Sequence, residues 1–283
     1  MLPLYGHYLN LSDMKRQFLS VIFIAAGALI LASGCKKDSL EPEEDPAAGL
    51  HQIVSGYAIG AAVKLELYGN GPLSAGYTPL FFVLYDSVTN QLIEDAAIEL
   101  RPMMNMGAME HSAPFENPAN KAVDKLFPGS VTFIMATMEM GSWRLEITVR
   151  RAGKEGRVSV PVTVSEPPYG RVRSFVSKAN GDKLIAAYIE PSKPKVGVND
   201  MEIAIYRSQG MDFPADSSMT VTLTPEMPSM GHGSPNNVDP VHIGNGHYRG
   251  KVNFTMTGLW QLNLGLFLED AVAADDLFFE VNF

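Results

Sequence analysis

The feature that most constrains this chain is an internal repeat, because a unit written twice must fold twice. Around Gly76 the sequence reads A-G-Y-T-P-L-F-F-V-L-Y, and around Gly197 it reads V-G-V-N-D-M-E-I-A-I-Y, so Gly76 and Tyr85 recur at Gly197 and Tyr206. Further on, I-E-L-R-P-M-M-N-M-G-A-M-E-H answers V-T-L-T-P-E-M-P-S-M-G-H, which pairs Pro102 with Pro225, Met104 with Met227 and His111 with His232. S-V-T-F-I-M, ending at Met135, answers K-V-N-F-T-M, ending at Met256. G-S-W-R-L-E-I and G-L-W-Q-L-N-L then set Trp143 against Trp260, the only 2 tryptophans. The offsets drift between 117 and 123 residues, as small loop insertions produce.

Each copy reads as all-β. Runs such as Val63–Tyr68, Ser142–Val149, Met219–Thr224 and Tyr248–Phe254 alternate with period two and are rich in β-branched and aromatic residues. Gly, Pro, Asn and Asp clusters separate them at intervals of roughly ten residues, which predicts about seven strands per copy and an immunoglobulin-like sandwich. Alternation buries Trp143 and Trp260 between the sheets of their copies. The segment from Ser165 to Arg171 carries consecutive prolines, which forbid a central strand and stiffen a join. The expected organisation is two tandem immunoglobulin-like β-sandwich domains, 50–168 and 169–283, behind an export segment.

That segment begins at Met14 with Lys15 and Arg16 and continues as an apolar run from Phe18 to Ala32, too short for a comfortable membrane span. Residues 1–13 precede this start and read as an over-extension, within a signal peptide covering 1–34. L-A-S-G-C, Leu31 to Cys35, resembles the lipobox of bacterial lipoproteins, with Ala32 where that pattern prefers Leu. The resemblance implies a diacylglycerol on Cys35, the only cysteine of the chain. Residues 35–49 are polar, acidic and proline-bearing and read as a solvated tether. The expected location is the cell envelope, on the outer membrane, facing the periplasm or the surface and held to the membrane by lipid.

A formal net charge of -9, with the cations scattered singly, points away from nucleic acid. There is no G-x-S-x-G, H-E-x-x-H or P-loop, and no paired carboxylates that sequence assigns to acid–base work, so the chain reads as no enzyme.

Methionine carries the chemistry. Of the thirteen methionines after Cys35, ten fall in matching zones of the repeat. In copy one they are Met103, Met104, Met106 and Met109 before His111, then Met135, Met138 and Met140. In copy two they are Met227 and Met230 before His232, then Met256. Both zones flank strand ends and are expected to meet at one rim of each sandwich. A thioether is a soft neutral ligand suited to Cu(I), and imidazole serves both Cu(I) and Cu(II). Met104, Met106, Met109, Met227 and Met230 lie among turn residues, where exposed apolar side chains point to a binding role. For Met135 and Met256 the competing reading is core packing against a tryptophan. Copy two adds His242 and His247 around a Gly-Asn-Gly turn, as further ligands or as solvated side chains. If ligands, they make copy two the imidazole-rich site, tolerant of Cu(II), and copy one the thioether-rich site.

T-P-E-M-P-S-M-G-H, followed by G-H-Y-R-G-K-V-N-F-T-M-T-G-L-W-Q-L, resembles the YtkA-like domain, which is related to the FixH-like proteins. Copy one resembles it more loosely, through P-M-M-N-M-G-A-M-E-H and V-T-F-I-M followed by G-S-W-R-L. The resemblance implies small exported or membrane-anchored β-sandwiches linked to copper handling or haem–copper oxidase assembly. It implies ligands at Met227, Met230, His232 and Met256, and by the repeat at Met104, His111 and Met135. The expected role is a lipid-anchored copper chaperone, buffer or efflux accessory, whose partner is an efflux or oxidase-assembly protein. The alternative is an envelope interaction or spacer module with Met-rich protein-binding loops.

Overall fold

The computed structural model describes residues 45–139 and 141–283; the expected signal segment, the expected lipidation site Cys35, the expected tether as far as Glu44 and Met140 lie outside them. Asp45–Phe283 form one compact unit. Among the described residues no helix is long and apolar enough to cross a membrane.

The first half of this unit contains β1 (His51–Ala58), a 3-10 turn (Ile59–Ala61), β2 (Val63–Gly69), β3 (Gly76–Asp86) and β4 (Leu92–Ile93). They are followed by β5 (Ala97–Asn105), β6 (Glu110–Ser112), β7 (Phe115–Glu116), β8 (Phe127–Phe133), β9 (Ser142–Arg151) and β10 (Lys154–Val162). One sheet runs β1-β2-β3-β8-β7 with β4 beside β3, and the other runs β10-β9-β5-β6. The second half contains β11 (Val172–Val176), β12 (Lys183–Glu190), β13 (Gly197–Arg207), β14 (Met219–Met227) and β15 (His232–Gly233). It ends with β16 (Val238–Gly244), β17 (His247–Phe254), β18 (Leu259–Leu268) and β19 (Ala271–Asn282). Its sheets run β11-β12-β13-β17-β16 and β15-β14-β18-β19. With β4 set aside, the two halves have the same strand order. In each half one sheet holds the first, second, fifth and fourth strands of an immunoglobulin-type sandwich and the other holds the remainder, with one extra strand at the N-terminal edge.

Alternation builds the cores. In β2 the burial pattern is strictly one-in, one-out, and β18 repeats it with Trp260, Leu262, Leu264 and Leu266 inward. Trp143 and Trp260 are fully enclosed, each in the core of its own sandwich, as the period-two pattern requires. Edge-to-face contacts with Phe133 at 5.3 Å and tilted contacts with Phe254 at 5.5 Å hold the two indoles.

Alternation fails in a few strands, and the failure is informative. In β12 and β13, and at the end of β8, residues on both faces are buried. Ile203 and Ile205 belong to the second core, whereas Ile185, Ala187, Ala204 and Tyr206 are buried outside it, as are Val83, Ser130 and Thr132 outside the first core. These residues occupy the outer faces of the two five-strand paths, where β3 meets β12 and the sandwiches pack together. The proline join is drawn into the same contact. A Cβ at Gly76 would stand 2.9 Å from the Arg171 side chain, and the Arg171 guanidinium lies over the Tyr188 ring at 4.5 Å.

Candidate functional site: two Met/His rims

The motif M-P-S-M-G-H forms a tight hairpin. The amides of Met230 and Gly231 both donate to the Met227 carbonyl at 3.0 Å, and Gly231 takes a left-handed φ of 62°, which glycine adopts without a Cβ clash. The chain therefore reverses in time for His232 to stand opposite Met227 in register. Copy one has a longer turn, closed by Met106 N–H donating to the Met109 carbonyl at 2.9 Å, yet His111 again stands opposite Met104. On the neighbouring side, the Trp143 indole N–H donates to the Met135 carbonyl and the Trp260 indole N–H to the Met256 carbonyl, both at 3.0 Å. Met104 also lies in register with Trp143. Each sandwich thus gathers the same four residues at one corner: a strand-end methionine, a histidine opposite it, a tryptophan, and a methionine whose backbone the tryptophan grips.

The His232 ring is held by a backbone carbonyl. Its Nδ1 lies 3.0 Å from the Gly233 carbonyl, which only accepts, so Nδ1 carries the proton and Nε2 keeps its lone pair. The ring meets Trp260 edge-on with centroids 6.0 Å apart. His111 lines a cleft of about 310 Å³ between the two sandwiches, opposite Phe175, Lys183 and Phe213.

Several expectations need correction. Met104 and Met227 were expected among exposed turn residues, but they are 0% and 3% exposed and belong to the two cores. The reason is that β5 and β14 continue into the motif, so the inward alternation reaches the methionine before the turn begins. Both pack toward the glycine just before the neighbouring strand: a Cβ at Gly141 would be 2.5 Å from Met104 Cε, and one at Gly258 3.2 Å from Met227 Cε. Met230 at 58% and Met109 at 60% are exposed as expected, Met256 is 37% exposed, and Met106 and Met135 are half-buried against the first core.

The histidines of β16 and β17 do not join the rim. His247 begins β17 and Met256 follows its other end, so the length of the strand, roughly 24 Å at about 3.4 Å per residue, lies between His247 and the rim end. Both ring nitrogens of His247 are engaged by carboxylates: Nε2 by Glu116 at 2.6 Å and Nδ1 by Glu202 at 2.7 Å. The His242 ring lies tilted against Tyr248 with centroids 5.3 Å apart, and its Nε2 accepts the Gly246 amide at 3.3 Å. The imidazole-rich ligand set expected in copy two is therefore not assembled. Among the described residues no group of three or more His, Cys, Asp or Glu is placed to hold a metal.

The fold and its rims define a tandem β-sandwich with a histidine at one corner of each unit. Residues 178–265 match the family of YtkA-like domains, a segment that includes Met227, Met230, His232, Met256 and Trp260. No curated protein matches the chain in sequence. Solved structures similar to it include the Escherichia coli adhesin FdeC, at 12% identity over 81% of this chain and 66% of that one, with a TM-score of 0.24. Domains 5–6 of the S-layer protein SbsC match at 13% identity over 82% of this chain and 97% of that one, with a TM-score of 0.27. The Yersinia pseudotuberculosis adhesin InvE matches at 12% identity over 75% of this chain and 56% of that one, with a TM-score of 0.23. The chain spans under two thirds of the length of each adhesin.

Proposed function

We propose that the protein is a lipid-anchored copper-binding protein of the cell envelope, built from two YtkA-like sandwiches and acting as a Cu(I) chaperone, buffer or efflux accessory. The observation that carries this reading is the repeated corner: an imidazole opposite a strand-end methionine, beside a second methionine held by a tryptophan. In the second sandwich His232, Met230 and Met256 are the open donors, and Met227 supports the turn from below. In the first, His111, Met106, Met109 and Met135 are the corresponding donors, with Met104 beneath. Thioethers stay neutral at any pH and favour Cu(I), while a histidine whose Nδ1–H is already bonded offers Nε2 without reorientation. Copper is cargo here. A corner open to solvent lets an incoming ligand approach before the old ones leave, which favours hand-over to an efflux or oxidase-assembly partner.

An anaerobic Cu(I) competition titration against a chromophoric chelator tests the reading. Tight binding of one or two equivalents, lost when Met230, His232 and Met256 are replaced together with their copy-one counterparts, is the expected result. Unchanged affinity in that variant refutes it. A second reading takes the exposed Met109, Met138 and Met230 as an adaptable protein-binding rim. A metal-independent partner, lost on mutation of those residues, would favour it.

A further inference from the structure

We propose that His247 is a pH-dependent latch that holds the two sandwiches in one fixed relative position. Its imidazole bridges two carboxylates that belong to different halves of the chain: Glu116 on β7 of the first sandwich and Glu202 on β13 of the second. Of these contacts only the one to Glu116 crosses the joint, and it links residues 131 apart in sequence.

The surroundings place this bridge inside the interface. From β3, the Tyr77 ring meets His247 edge-on at 5.5 Å, and its hydroxyl donates to the other Glu116 oxygen at 3.0 Å. From β17, the Arg249 guanidinium binds the second oxygen of Glu202 at 2.7 Å, so that carboxylate is shared between two cations. From β13, the buried phenol of Tyr206 lies on the same outer face, and from β8 come the buried hydroxyls of Ser130 and Thr132. From β12, Glu190 is the register partner of Glu202, but its carboxylate turns to Ser192. The Asp200–Lys251 pair continues the same charged row toward solvent.

An imidazole has two ring nitrogens. Only the protonated ring donates to both carboxylates, because a neutral ring must present one lone pair to an anion. Glu116 and then Glu202 accordingly hold the ring above the ordinary histidine value of 6.5, against the effect of burial. Burial pushes Glu116 up, but the His247 hydrogen bond and charge, followed by Tyr77, leave it below 4.5.

The signs set a window. A histidine raised on docking contributes fully below about pH 6.5, and the contribution is lost as pH climbs through its raised value. A glutamate lowered on docking contributes above about pH 4.5 and is lost as pH falls through its lowered value. The joint is tightest between those limits and loosens on the alkaline side, while each sandwich keeps its own core.

Residual dipolar couplings on the full chain, followed from about pH 5 to about pH 9 alongside the His247 ring resonances, test this. One common orientation for both sandwiches at about pH 6, separating into two as His247 loses its proton, is the expected result. His247→Gln should show two orientations at every pH. Glu116→Gln, which keeps the side chain's size at the short edge strand β7, should lower the His247 titration and loosen the joint while Glu202 remains. A single orientation at all pH in the parent chain and both variants overturns the proposal. So do two orientations at about pH 6 in the parent, or loosening confined to the acid side.

Discussion

His232 stands directly across the β14–β15 hairpin from Met227, and Trp260 meets its ring edge-on from the adjacent strand. The same relation holds between His111 and Met104. Within each pair the two residues divide the work by depth: the methionine fills the core end, and the histidine reaches the rim. Substitutions at the two positions should therefore separate stability from ligand binding.

Met227→Leu keeps volume and apolarity, so it should change stability by less than about 1.5 kcal/mol and leave Cu(I) affinity within a few-fold of the parent. His232→Gln and Met256→Leu remove open donors and should each weaken Cu(I) binding by about tenfold or more, with little change in melting temperature. Competition titration and thermal melting on the same three variants check both halves of the statement. A Met227→Leu protein that loses copper while remaining folded would return that sulfur to the ligand set.

Trp260→Phe preserves an aromatic ring but deletes the N–H that grips the Met256 carbonyl. A lost hydrogen bond plus a partly filled cavity should cost about 2–4 kcal/mol, read by urea denaturation. Amide exchange should quicken at Met256 and Thr257 beyond the general loosening, because the indole is what fixes that backbone.

Gly246 turns the chain into β17 with a φ of 73°, and a Cβ there would stand 2.5 Å from the Ile205 carbonyl oxygen. Gly246→Ala should destabilise the second sandwich by about 2 kcal/mol or more, since backbone must move on either side. Gly153, also at positive φ but with nothing within 4 Å, should tolerate Asn in its turn with little loss. Paired denaturation curves of the two variants test the contrast.

Asp216 is buried, and its partner Arg207 binds it at 2.6 Å from a position about one-third exposed. Burial pushes this carboxyl up, but the Ser218 hydroxyl and amide and then Arg207 more than reverse that, leaving it below 3.8. Its stabilisation is present above about pH 4 and is lost as pH falls through the lowered value. Arg207→Met should cost about 2 kcal/mol at neutral pH, less than a fully buried pair because solvent screens the arginine. The variant should lose less additional stability than the parent on acidification, measured by denaturation at about pH 7 and about pH 3.

Much of the architecture follows from local patterning. Period two in Ser142–Arg151 and Leu259–Leu268 dictates which residues turn inward, so the burial of Trp143 and Trp260 is readable before any fold is drawn. The correspondence of Met104 with Met227 and of His111 with His232 is readable in the repeat, while the register that sets each histidine across from its methionine is seen only in the fold. Sequence also marks Met109 and Met230 as exposed turn residues.

Tertiary structure decided the rest. Whether Met104 and Met227 lie in strand or turn depends on how far the ladder to β9 and β18 extends, which neighbouring strands set and local propensity does not. His247 looks the same in sequence whether it binds metal, water or carboxylate. Its commitment to Glu116 arises only because the outer faces of the two sandwiches meet, bringing together residues 131 positions apart. A one-dimensional pattern records which face of a strand is apolar. It carries no record of which folded unit will cover the face left over, and that contact gave His247 its second carboxylate, Glu116.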